Sequence, residues 1–483
     1  MSQAQQEDVQ ELKRDIGTWG SFSMGYADVG ADIYVVLGVI ALFAGLASPF
    51  AFLMAAVVYV CTGLCYAELA TKYPVAGGGQ FYSLKAFGNI HGFVAGWGLM
   101  LGYTVDIALF SLATVGYLGV VTKPFIHAFM VTEPPYYVII AIALILLLLA
   151  VNLVGIRYSS KLNELIVAVD LVTVAIFLAF GLPSIVASGA LSAWASALPQ
   201  AFSTGVFGGS ANYSTFVYAL SLATASYIGI ESISQAAEET KRPARVIPKA
   251  TKAAIVSVVV VAVSLSLLSV TLSSFSKVAS NSTAPAVSIA ADLPVIGGIF
   301  AIWVALMGTL VCYISTNTGV IGVSRVTFSM SRLGLLPKNF SRVSSRFRTP
   351  YTTLIIFSTI ACLLLVAGAE LPNYNLLPLI ASVYNFGALI AYMYVNAAAI
   401  VLRVKDPERS GWIMPLNFPI GYRGKRYRIS VIPFIGLIST VLIWLILVGV
   451  NPEGRTLGTA WFVVGIAGYL IYRKYKGGRK TDA

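Results

Sequence analysis

Long apolar runs separated by short polar segments follow one another along most of this chain. About 20 consecutive apolar residues are needed to cross a bilayer as an α-helix. A scan for runs of that length predicts twelve transmembrane helices. Their approximate limits are 21–46, 48–71, 90–119, 136–155, 162–183, 215–238, 251–275, 297–330, 352–369, 375–402, 431–450 and 457–473.

The composition is that of a membrane protein. Of the 483 residues, 58% are hydrophobic and only 11% are charged, and the mean hydropathy is +0.82. Ordinary soluble domains have about 45–50% apolar and about 25% charged residues. The sequence therefore predicts an all-α polytopic membrane protein that forms one bundle.

The segments between the predicted helices are too short to form a catalytic domain. The largest, about 184–214, contains no charged residue. The chain has no Gly-x-Ser-x-Gly nucleophile turn, no phosphate-binding loop of the Walker type and no close group of His, Cys and carboxylate ligands. We therefore expect a protein that is not an enzyme, is not an ATP-driven pump, and has no metal site and no cofactor.

The basic residues follow the predicted topology. The formal net charge is +12, from 32 Lys and Arg against 20 Asp and Glu. With the N-terminus inside, 29 of the 32 basic residues lie on the cytoplasmic side, and only Lys123, Lys277 and Arg455 lie outside. This asymmetry predicts a protein of the cell membrane with both termini in the cytoplasm, and it explains the positive charge without a nucleic-acid partner. The basic inside loops can also bind anionic lipid headgroups.

The spans and the charge pattern divide the chain into five parts. They are a cytoplasmic tail at 1–17, a core of helices 1–10 at 18–403, a cytoplasmic loop at 404–430, helices 11 and 12 at 431–473, and a cytoplasmic tail at 474–483.

The first predicted span carries two aspartates between glycines. Asp28 and Asp32 lie close to Gly25 and Gly30. A carboxylate at membrane depth costs about 2.5 to 3.5 kcal/mol on insertion scales, so such residues usually face a cavity and handle an ion or a substrate. The glycines predict an interruption of this helix, because a break exposes backbone groups that can form a binding site.

A second interruption is predicted in the sixth span. Small and hydroxyl residues cluster there around Gly229, and Glu231 lies within the span. Paired interruptions in spans one and six are expected when helices 1–5 and 6–10 are inverted repeats around a midplane site. Helix packing is the alternative use of such glycines and serines.

Three sequence motifs occur in order along this predicted bundle. They are YAELATKYPVAGGGQFY from Tyr66, SYIGIES from Ser226 and SRVTFSMSRLGLLPK from Ser324. Together they resemble the amino acid, polyamine and organocation (APC) superfamily of secondary transporters. The resemblance covers about residues 17–450.

This resemblance implies a five-plus-five inverted repeat of the leucine-transporter type with two further helices, and transport by alternating access. It places the substrate between unwound parts of helices 1 and 6, where backbone amides attract a carboxylate and free carbonyls accept hydrogen bonds from an ammonium group. The corresponding substrate positions are Val29, Gly30 and Ala31 in the first helix and Ala223, Thr224, Ala225, Ser226, Tyr227 and Gly229 in the sixth, with Tyr103 from the third.

The chain departs from this family in the first unwound segment. Relatives usually read Gly-Ser-Gly-Ile-Phe where this chain has Gly30-Ala31-Asp32-Ile33-Tyr34, so an aspartate replaces a glycine. A fixed negative charge would oppose a substrate carboxylate. Asp32 is therefore expected to be protonated, paired with a cation or turned away, or else the substrate has no carboxylate.

Other acids in the spans are candidates for handling a coupling ion. The resemblance relates Glu231 to a glutamate that exchangers of basic amino acids use in proton coupling. It places Asp170 near a lysine of some proton-coupled members, and a carboxylate there can hold Na⁺ or a proton. The candidate ion or proton residues are Asp28, Asp32, Asp106, Asp170 and Glu231, with hydroxyl groups from Ser315, Thr316 and Thr318. A structural role, with hydrogen bonds to neighbouring groups, is the alternative for each acid, and it is the favoured one for Glu68.

The leading hypothesis is a permease that moves amino acids with H⁺ as the coupling ion. The excess of buried acid over buried base keeps a second hypothesis open, in which the cargo is an organic amine, a polyamine or an inorganic cation. Coupling to Na⁺ and substrate exchange also stay open. A receptor or scaffold has less support, since it would not need acids at membrane depth. The sequence leaves the exact substrate, the direction of flux and the oligomeric state undetermined.

Overall fold

The computed structural model describes residues 14–75, 77–123, 131–132, 135–154, 157–200, 213–344, 349–369, 376–408, 411–422 and 425–478. Within them the chain forms seventeen α-helices, short 3-10 turns and one β-hairpin. The helices are α1 (Thr18–Ala44), α2 (Ser48–Lys72), α3 (Gly79–Phe87), α4 (Asn89–Thr122), α5 (Tyr136–Val154), α6 (Arg157–Ala187), α7 (Ala190–Gln200), α8 (Tyr213–Ala223), α9 (Glu231–Gln235), α10 (Pro243–Thr271), α11 (Phe275–Ser280), α12 (Pro285–Ala291), α13 (Gly297–Arg332), α14 (Tyr351–Ala369), α15 (Leu376–Lys405), α16 (Ile432–Val450) and α17 (Pro452–Gly478).

Eleven helical segments of the described chain are long and apolar enough to cross a membrane. The first of them, Thr18–Lys72, contains α1 and α2 joined by a 3-10 turn at Gly45–Ala47. With 27 and 25 residues, each of these two helices is long enough to cross by itself at about 1.5 Å per residue. The prediction of an all-α polytopic membrane protein is confirmed.

Helix α1 runs without interruption from Thr18 to Ala44, so the break predicted in the first span is wrong. Its glycines allow close packing instead. A Cβ at Gly25 would lie 2.7 Å from the side chain of Ile233, and one at Gly30 would lie 2.9 Å from the ring of Tyr26. Glycine is used at these positions because neighbouring side chains pack directly on the helix backbone.

The sixth span is interrupted in the structure. Helix α8 ends at Ala223, a 3-10 turn covers Thr224–Tyr227, and α9 begins at Glu231. Ile228 between them is extended, and Gly229 has a φ of +123°, which favours glycine. The backbone therefore leaves helical geometry inside a membrane segment that is largely buried.

Helix α1 lies inside the bundle, where almost all of its residues from Gly20 onwards are buried. It packs against α6, α8, α10 and α13, and it also contacts the short helix α9. Helix α4 packs along α13 and α15. These contacts bring the polar residues of α1, α4, α9 and α15 into one region of the bundle.

The segment 404–430, predicted to be a loop, contains a β-hairpin. Strand β1 (Asn417–Tyr422) pairs antiparallel with β2 (Lys425–Ser430). The sequence of β1 alternates larger apolar residues with Asn, Pro and Gly, which is the period of a strand with one apolar face. Helices α15 and α17 end at Lys405 and Gly478, a few residues beyond the predicted limits of 402 and 473.

Glu68 links α2 to α15 and to the hairpin. Its two carboxylate oxygens accept hydrogen bonds from Arg403 at 2.6 and 2.5 Å, and one also accepts from the amide of Met414 at 2.8 Å. Arg403 donates further to the side-chain oxygen of Asn417 at 2.5 Å and to the carbonyl of Arg428 at 3.2 Å. These contacts give Glu68 a structural role at this end of the bundle.

Candidate functional site

The candidate site lies where α1 passes the interruption of the sixth span. Gly229 in the break faces Asp28 of α1, and a Cβ at Gly229 would lie only 2.6 Å from the Cβ of Asp28. Any larger residue at this position would push α1 away, and the φ of +123° would strain it. Gly229 therefore sets both the backbone geometry and the close approach of Asp28.

Glu231 begins α9 and caps the break with its own carboxyl group. Its Oε2 accepts a hydrogen bond from the Tyr392 hydroxyl at 2.7 Å and from the Gly229 amide at 3.1 Å. The Tyr392 hydroxyl itself lies 3.2 Å from the Gly229 amide. The chain thus places its own carboxyl group on the backbone donor that the break exposes.

Asp28 connects α1 to α9 through a single hydroxyl. The Ser232 hydroxyl donates to Oδ2 of Asp28 at 3.0 Å, and Oδ1 has no hydrogen-bond partner among the described residues. Tyr103 of α4 joins the same group, since its hydroxyl lies 3.5 Å from that of Ser232 and accepts from Nε2 of Gln235 at 2.8 Å. The third, first and sixth spans therefore meet around Asp28.

Asp32 and Asp106 complete a group of four buried acids. Asp32 is fully buried, and neither of its oxygens has a hydrogen-bond partner in the described part of the chain. It interacts electrostatically with Asp106, Asp28 and Glu231. Asp106 of α4 is also fully buried, and its Oδ2 lies against Gly319 of α13. We call Asp28, Asp32, Asp106 and Glu231 the acid cluster.

The acid cluster has no ion pair with a basic side chain within the described ranges. The ion pairs found there use other acids, namely Asp15, Glu68, Glu239, Asp292 and Asp406. Two buried tyrosines approach the cluster instead: Tyr384 of α15 interacts with all four acids, and Tyr59 of α2 interacts with Asp28, Asp32 and Glu231. The cluster is thus surrounded by carboxyl and phenol oxygens, which suit protons or cations.

Asp170 lies apart from the acid cluster, on another face of α1. Its two oxygens accept hydrogen bonds from the Tyr26 hydroxyl at 2.9 Å and the Tyr34 hydroxyl at 2.7 Å. Tyr117 of α4 in turn donates to the carbonyl of Tyr34 at 2.7 Å. Asp170 of α6 is therefore hydrogen-bonded to two tyrosines of α1. The sequence did not predict this contact.

The predicted hydroxyl ligands of α13 make no hydrogen bond to Asp170 among the described residues. Thr316 and Thr318 donate to carbonyls of their own helix, at 3.0 Å each. The hydroxyl of Ser315 is buried without a hydrogen-bond partner there. The expected arrangement, in which Asp170 and these hydroxyls hold one ion, is not assembled in this conformation.

The predicted substrate residues of the first helix have a different environment from the one expected. Val29, Gly30 and Ala31 lie in the middle of continuous α1, where backbone amides bond to carbonyls four residues earlier. They therefore offer no free amide donors, and their assignment to the substrate site stays a prediction. The positions of the sixth helix do lie at the break: Ala223 ends α8, the 3-10 turn contains Thr224, Ala225, Ser226 and Tyr227, and Gly229 follows.

The sequence patterns did not predict several residues of the site, among them two tyrosines of α15. Tyr384 and Tyr392 of α15 are buried and approach the acid cluster, whereas the sequence of the tenth span predicts only a membrane helix. A signal was present, because residues eight apart lie on the same side of a helix after about two turns. Two tyrosines in that relation on an apolar span indicate a polar face inside the bundle.

Comparisons of sequence relate this chain to known transporters. The family model described as amino acid permease matches residues 16–472. The branched-chain amino acid permease of Bacillus subtilis is 28% identical over 96% of this chain and 94% of that protein. The methylthioribose transporter of the same bacterium is 25% identical, covering 92% of this chain and 90% of that protein. The low-affinity putrescine importer of Escherichia coli is 24% identical, covering 86% and 84%.

The fold has a counterpart among solved structures. A Na⁺-coupled sialic acid symporter in its substrate-bound outward-open state superposes with a TM-score of 0.53 over 92% of each chain, at 12% identity. At this identity the similarity concerns the fold alone.

Proposed function

Because the chain belongs to the amino acid permease family, it is a membrane transporter and not an enzyme, and we propose that it moves amino acids by alternating access with H⁺ as the coupling ion. The observation that carries this proposal is the acid cluster. Its four carboxyl groups are buried together without a basic side chain in the described part of the protein. Carboxylates inside a membrane protein need protons, a bound cation or both.

Glu231 supplies a way to link a proton to the substrate. Its carboxyl group accepts a hydrogen bond from the Gly229 amide, a donor that a substrate carboxylate can also use. When Glu231 takes up a proton, it no longer competes as an anion for that donor, and the site can accept an anionic group. Proton binding then favours substrate binding, which is the linkage that a symporter needs.

Asp28 and Asp32 are suited to bind the ammonium group of the same amino acid. Asp28 and Asp32 present carboxyl oxygens beside the break, and three of these four oxygens have no hydrogen-bond partner among the described residues. The 3-10 turn at Thr224–Tyr227 adds carbonyl acceptors where the chain leaves helical geometry at Ile228. An ammonium group between α1 and the 3-10 turn at Thr224–Tyr227 would meet acceptors from both sides.

A cationic amine without a carboxylate is the second candidate cargo. The observation that favours it is the continuity of α1, because the amides expected to bind a carboxylate at Val29, Gly30 and Ala31 are engaged within the helix. A substrate with two ammonium groups would need only acceptors, which the acid cluster provides in excess. In this mechanism the substrate takes the place of protons on the cluster.

Uptake by purified protein in liposomes separates the two cargoes. The vesicles are given an inside-alkaline pH gradient and are offered radiolabelled leucine, arginine, putrescine or ⁸⁶Rb⁺ in parallel. We expect accumulation of at least one amino acid, which collapses when a protonophore is added. Accumulation of putrescine alone would favour the amine, and accumulation of ⁸⁶Rb⁺ alone would favour an inorganic cation. Absence of uptake across the panel and in counterflow would refute the proposal.

The coupling ion needs its own measurement. The same vesicles are tested with a Na⁺ gradient at equal pH on both sides and with a pH gradient in the absence of Na⁺. We expect only the pH gradient to drive uptake. A response to Na⁺ alone would refute H⁺ coupling and would favour a Na⁺ site at Asp170 and the hydroxyls of α13.

We also propose that the protein lies in the cell membrane with both termini in the cytoplasm. The distribution of Lys and Arg supports this orientation. A protease site added at each end should be cleaved in inverted vesicles and protected in intact cells. Cleavage of either end in intact cells would contradict the orientation.

A further inference from the structure

The β-hairpin between α15 and α16 has two chemically different faces. In its register Phe418 is opposite Ile429, and Pro419 is opposite Arg428. Because side chains alternate along a strand, Phe418 and Ile429 share one face while Pro419 and Arg428 share the other. Phe418 is 52% exposed, so no described part of the protein covers its side chain.

The apolar face is continuous with the outer surface of α16. The amide of Val431, at the start of α16, donates to the carbonyl of Leu416, at the start of the hairpin, at 3.2 Å. Both side chains are exposed, and the exposed side of α16 continues through Phe434 and Ile438. Since α16 is an apolar membrane segment, its exposed side faces lipid. The hairpin therefore begins at the level where this lipid-facing surface ends.

The polar side of the hairpin is fixed to the bundle. Asn417 accepts a hydrogen bond from Arg403, and the Ser430 hydroxyl donates to the carbonyl of Pro415 at 2.8 Å. Arg403 is itself held by Glu68. With Asn417 directed towards the bundle, Phe418 on the opposite face is directed away from it.

The charge of this segment complements an anionic surface. The hairpin sequence contains Arg423, Lys425, Arg426 and Arg428, and no acidic residue occurs between Glu408 and Glu453. The side chain of Arg428 is exposed. Each basic residue close to an anionic membrane surface contributes about a fivefold gain in binding.

We propose that this hairpin is an interfacial lipid-binding element. Its apolar face lies in the bilayer interface beside α16, and the exposed side chain of Arg428 binds the phosphate group of an anionic phospholipid. An amphipathic element of this kind, with aromatic and basic residues at the level of the headgroups, is the arrangement expected at a membrane surface. Through Arg403 and Glu68, the bound lipid would stabilise the ends of α15 and α2.

Spin labels on the two faces test the position of the hairpin. Cysteine is introduced as Phe418→Cys or Pro419→Cys in a Cys362→Ala background, because the other native cysteines are buried. In liposomes containing phosphatidylglycerol, we expect the label at 418 to be more accessible to oxygen than to a nickel chelate, and the label at 419 to show the reverse. Ready access of nickel to both positions would overturn the proposal. Protection of 418 from both reagents would also overturn it, because it would mean that protein covers this face.

The charge requirement is tested by lipid binding in a neutral phosphatidylcholine background. We compare Arg428→Gln with Arg342→Gln, a matched control that removes one exposed arginine from another loop. Native mass spectrometry should show phosphatidylglycerol affinity reduced by about fivefold in the hairpin variant and by less than twofold in the control. Equal losses would show diffuse attraction and overturn the assignment of a site to the hairpin. Elution of each variant as a single species in gel filtration confirms that it is folded.

Discussion

Two groups of acids in this protein differ in what surrounds them. At the end of α2, Glu68 has a guanidinium partner at 2.5 Å and a backbone amide, so every oxygen is used. Asp406 nearby accepts from the Tyr73 hydroxyl at 2.5 Å and lies 3.6 and 3.7 Å from the ammonium groups of Lys72 and Lys85. These acids join α2, α3 and α15.

The acid cluster inside the bundle has no basic partner among the described residues, and all of its acids except Glu231 keep an oxygen without a hydrogen-bond partner there. Asp32 accepts no hydrogen bond among the described residues, and Asp28 uses one oxygen only. Buried charge without a partner destabilises a fold, whereas a paired charge holds elements together. The paired acids therefore serve the structure, and the missing partners of the cluster support the proposal that it binds ions or substrates.

The largest expected effect is the loss of transport when the cluster loses an acid. In Asp32→Asn we expect initial uptake to fall roughly 100-fold, because a buried charged interaction is worth about 2 to 5 kcal/mol and each 1.4 kcal/mol is a factor of ten. The thermal unfolding temperature should stay equal or rise, since an unpartnered buried acid is removed. Uptake and unfolding are measured on the same purified sample.

Asp170→Asn is the matched control within the same bundle, since both of its oxygens already have hydroxyl partners. We expect it to keep more than a tenth of the wild-type uptake and its dependence on pH. If Asp170→Asn were as inactive as Asp32→Asn while remaining folded, the distinction between partnered and unpartnered acids would fail.

The next largest effect is on stability and concerns the ion pair between Glu68 and Arg403. Arg403→Ala leaves Glu68 largely buried without its cation, and we expect a loss of about 3 kcal/mol in the free energy of unfolding. Denaturation in mild detergent measures it. The double variant Glu68→Gln/Arg403→Gln should recover part of the loss, because no uncompensated charge remains. Full wild-type stability in Arg403→Ala would mean that the pair contributes nothing.

A smaller effect is expected where α1 meets α6. Tyr34→Phe removes one hydrogen bond to Asp170 and should cost about 1 to 2 kcal/mol of stability, since a buried acceptor loses a donor. Tyr26→Phe should behave in the same way, and both variants should transport. Hydrogen exchange of the α1 and α6 amides reports the loosening. Unchanged exchange in both variants would show that the tyrosines do not hold these helices together.

The smallest effect concerns Asp406, whose pKa is lowered by the hydrogen bond from Tyr73 and by Lys72 and Lys85. A lowered pKa in the folded state stabilises the protein above the unfolded pKa of about 4 and ceases to do so as the pH falls through the lower folded value. The difference in unfolding temperature between wild type and Asp406→Asn should therefore be about 1 to 2 °C at pH 7 and should shrink as the pH falls below about 4. A difference that grows on acidification would contradict this assignment.

The sequence predicted the sixth helix well and the first helix poorly, for a physical reason. Glycine near an acid has two uses, a break in the backbone or a close contact, and composition does not distinguish them. At Gly229 the φ of +123° interrupts the helix. Gly25 and Gly30 instead lie within continuous α1, where the side chains of Ile233 and Tyr26 pack against them. Which use applies depends on what packs against the glycine, and that is a property of the bundle.

The sequence likewise predicted the burial of the acids but not how they are grouped. Their depth in apolar spans was enough to predict that Asp28, Asp32, Asp106 and Asp170 are buried. Their division into a cluster and a separate tyrosine-bound acid was not predictable, because it depends on which faces of α1 meet α4 and α6. Tyr384 and Tyr392 escaped notice for a similar reason, since an aromatic on an apolar helix is usually a packing residue.

By itself, the sequence determined that this chain is an all-α membrane protein of the amino acid permease family, because apolar length, basic flanks and family motifs are local properties. Only the tertiary structure decided that α1 is continuous, that four acids share one region without a basic partner, and that the segment before α16 is an amphipathic hairpin. These features arise from contacts between residues far apart in the chain, where burial and pairing decide what a carboxyl group or a glycine does.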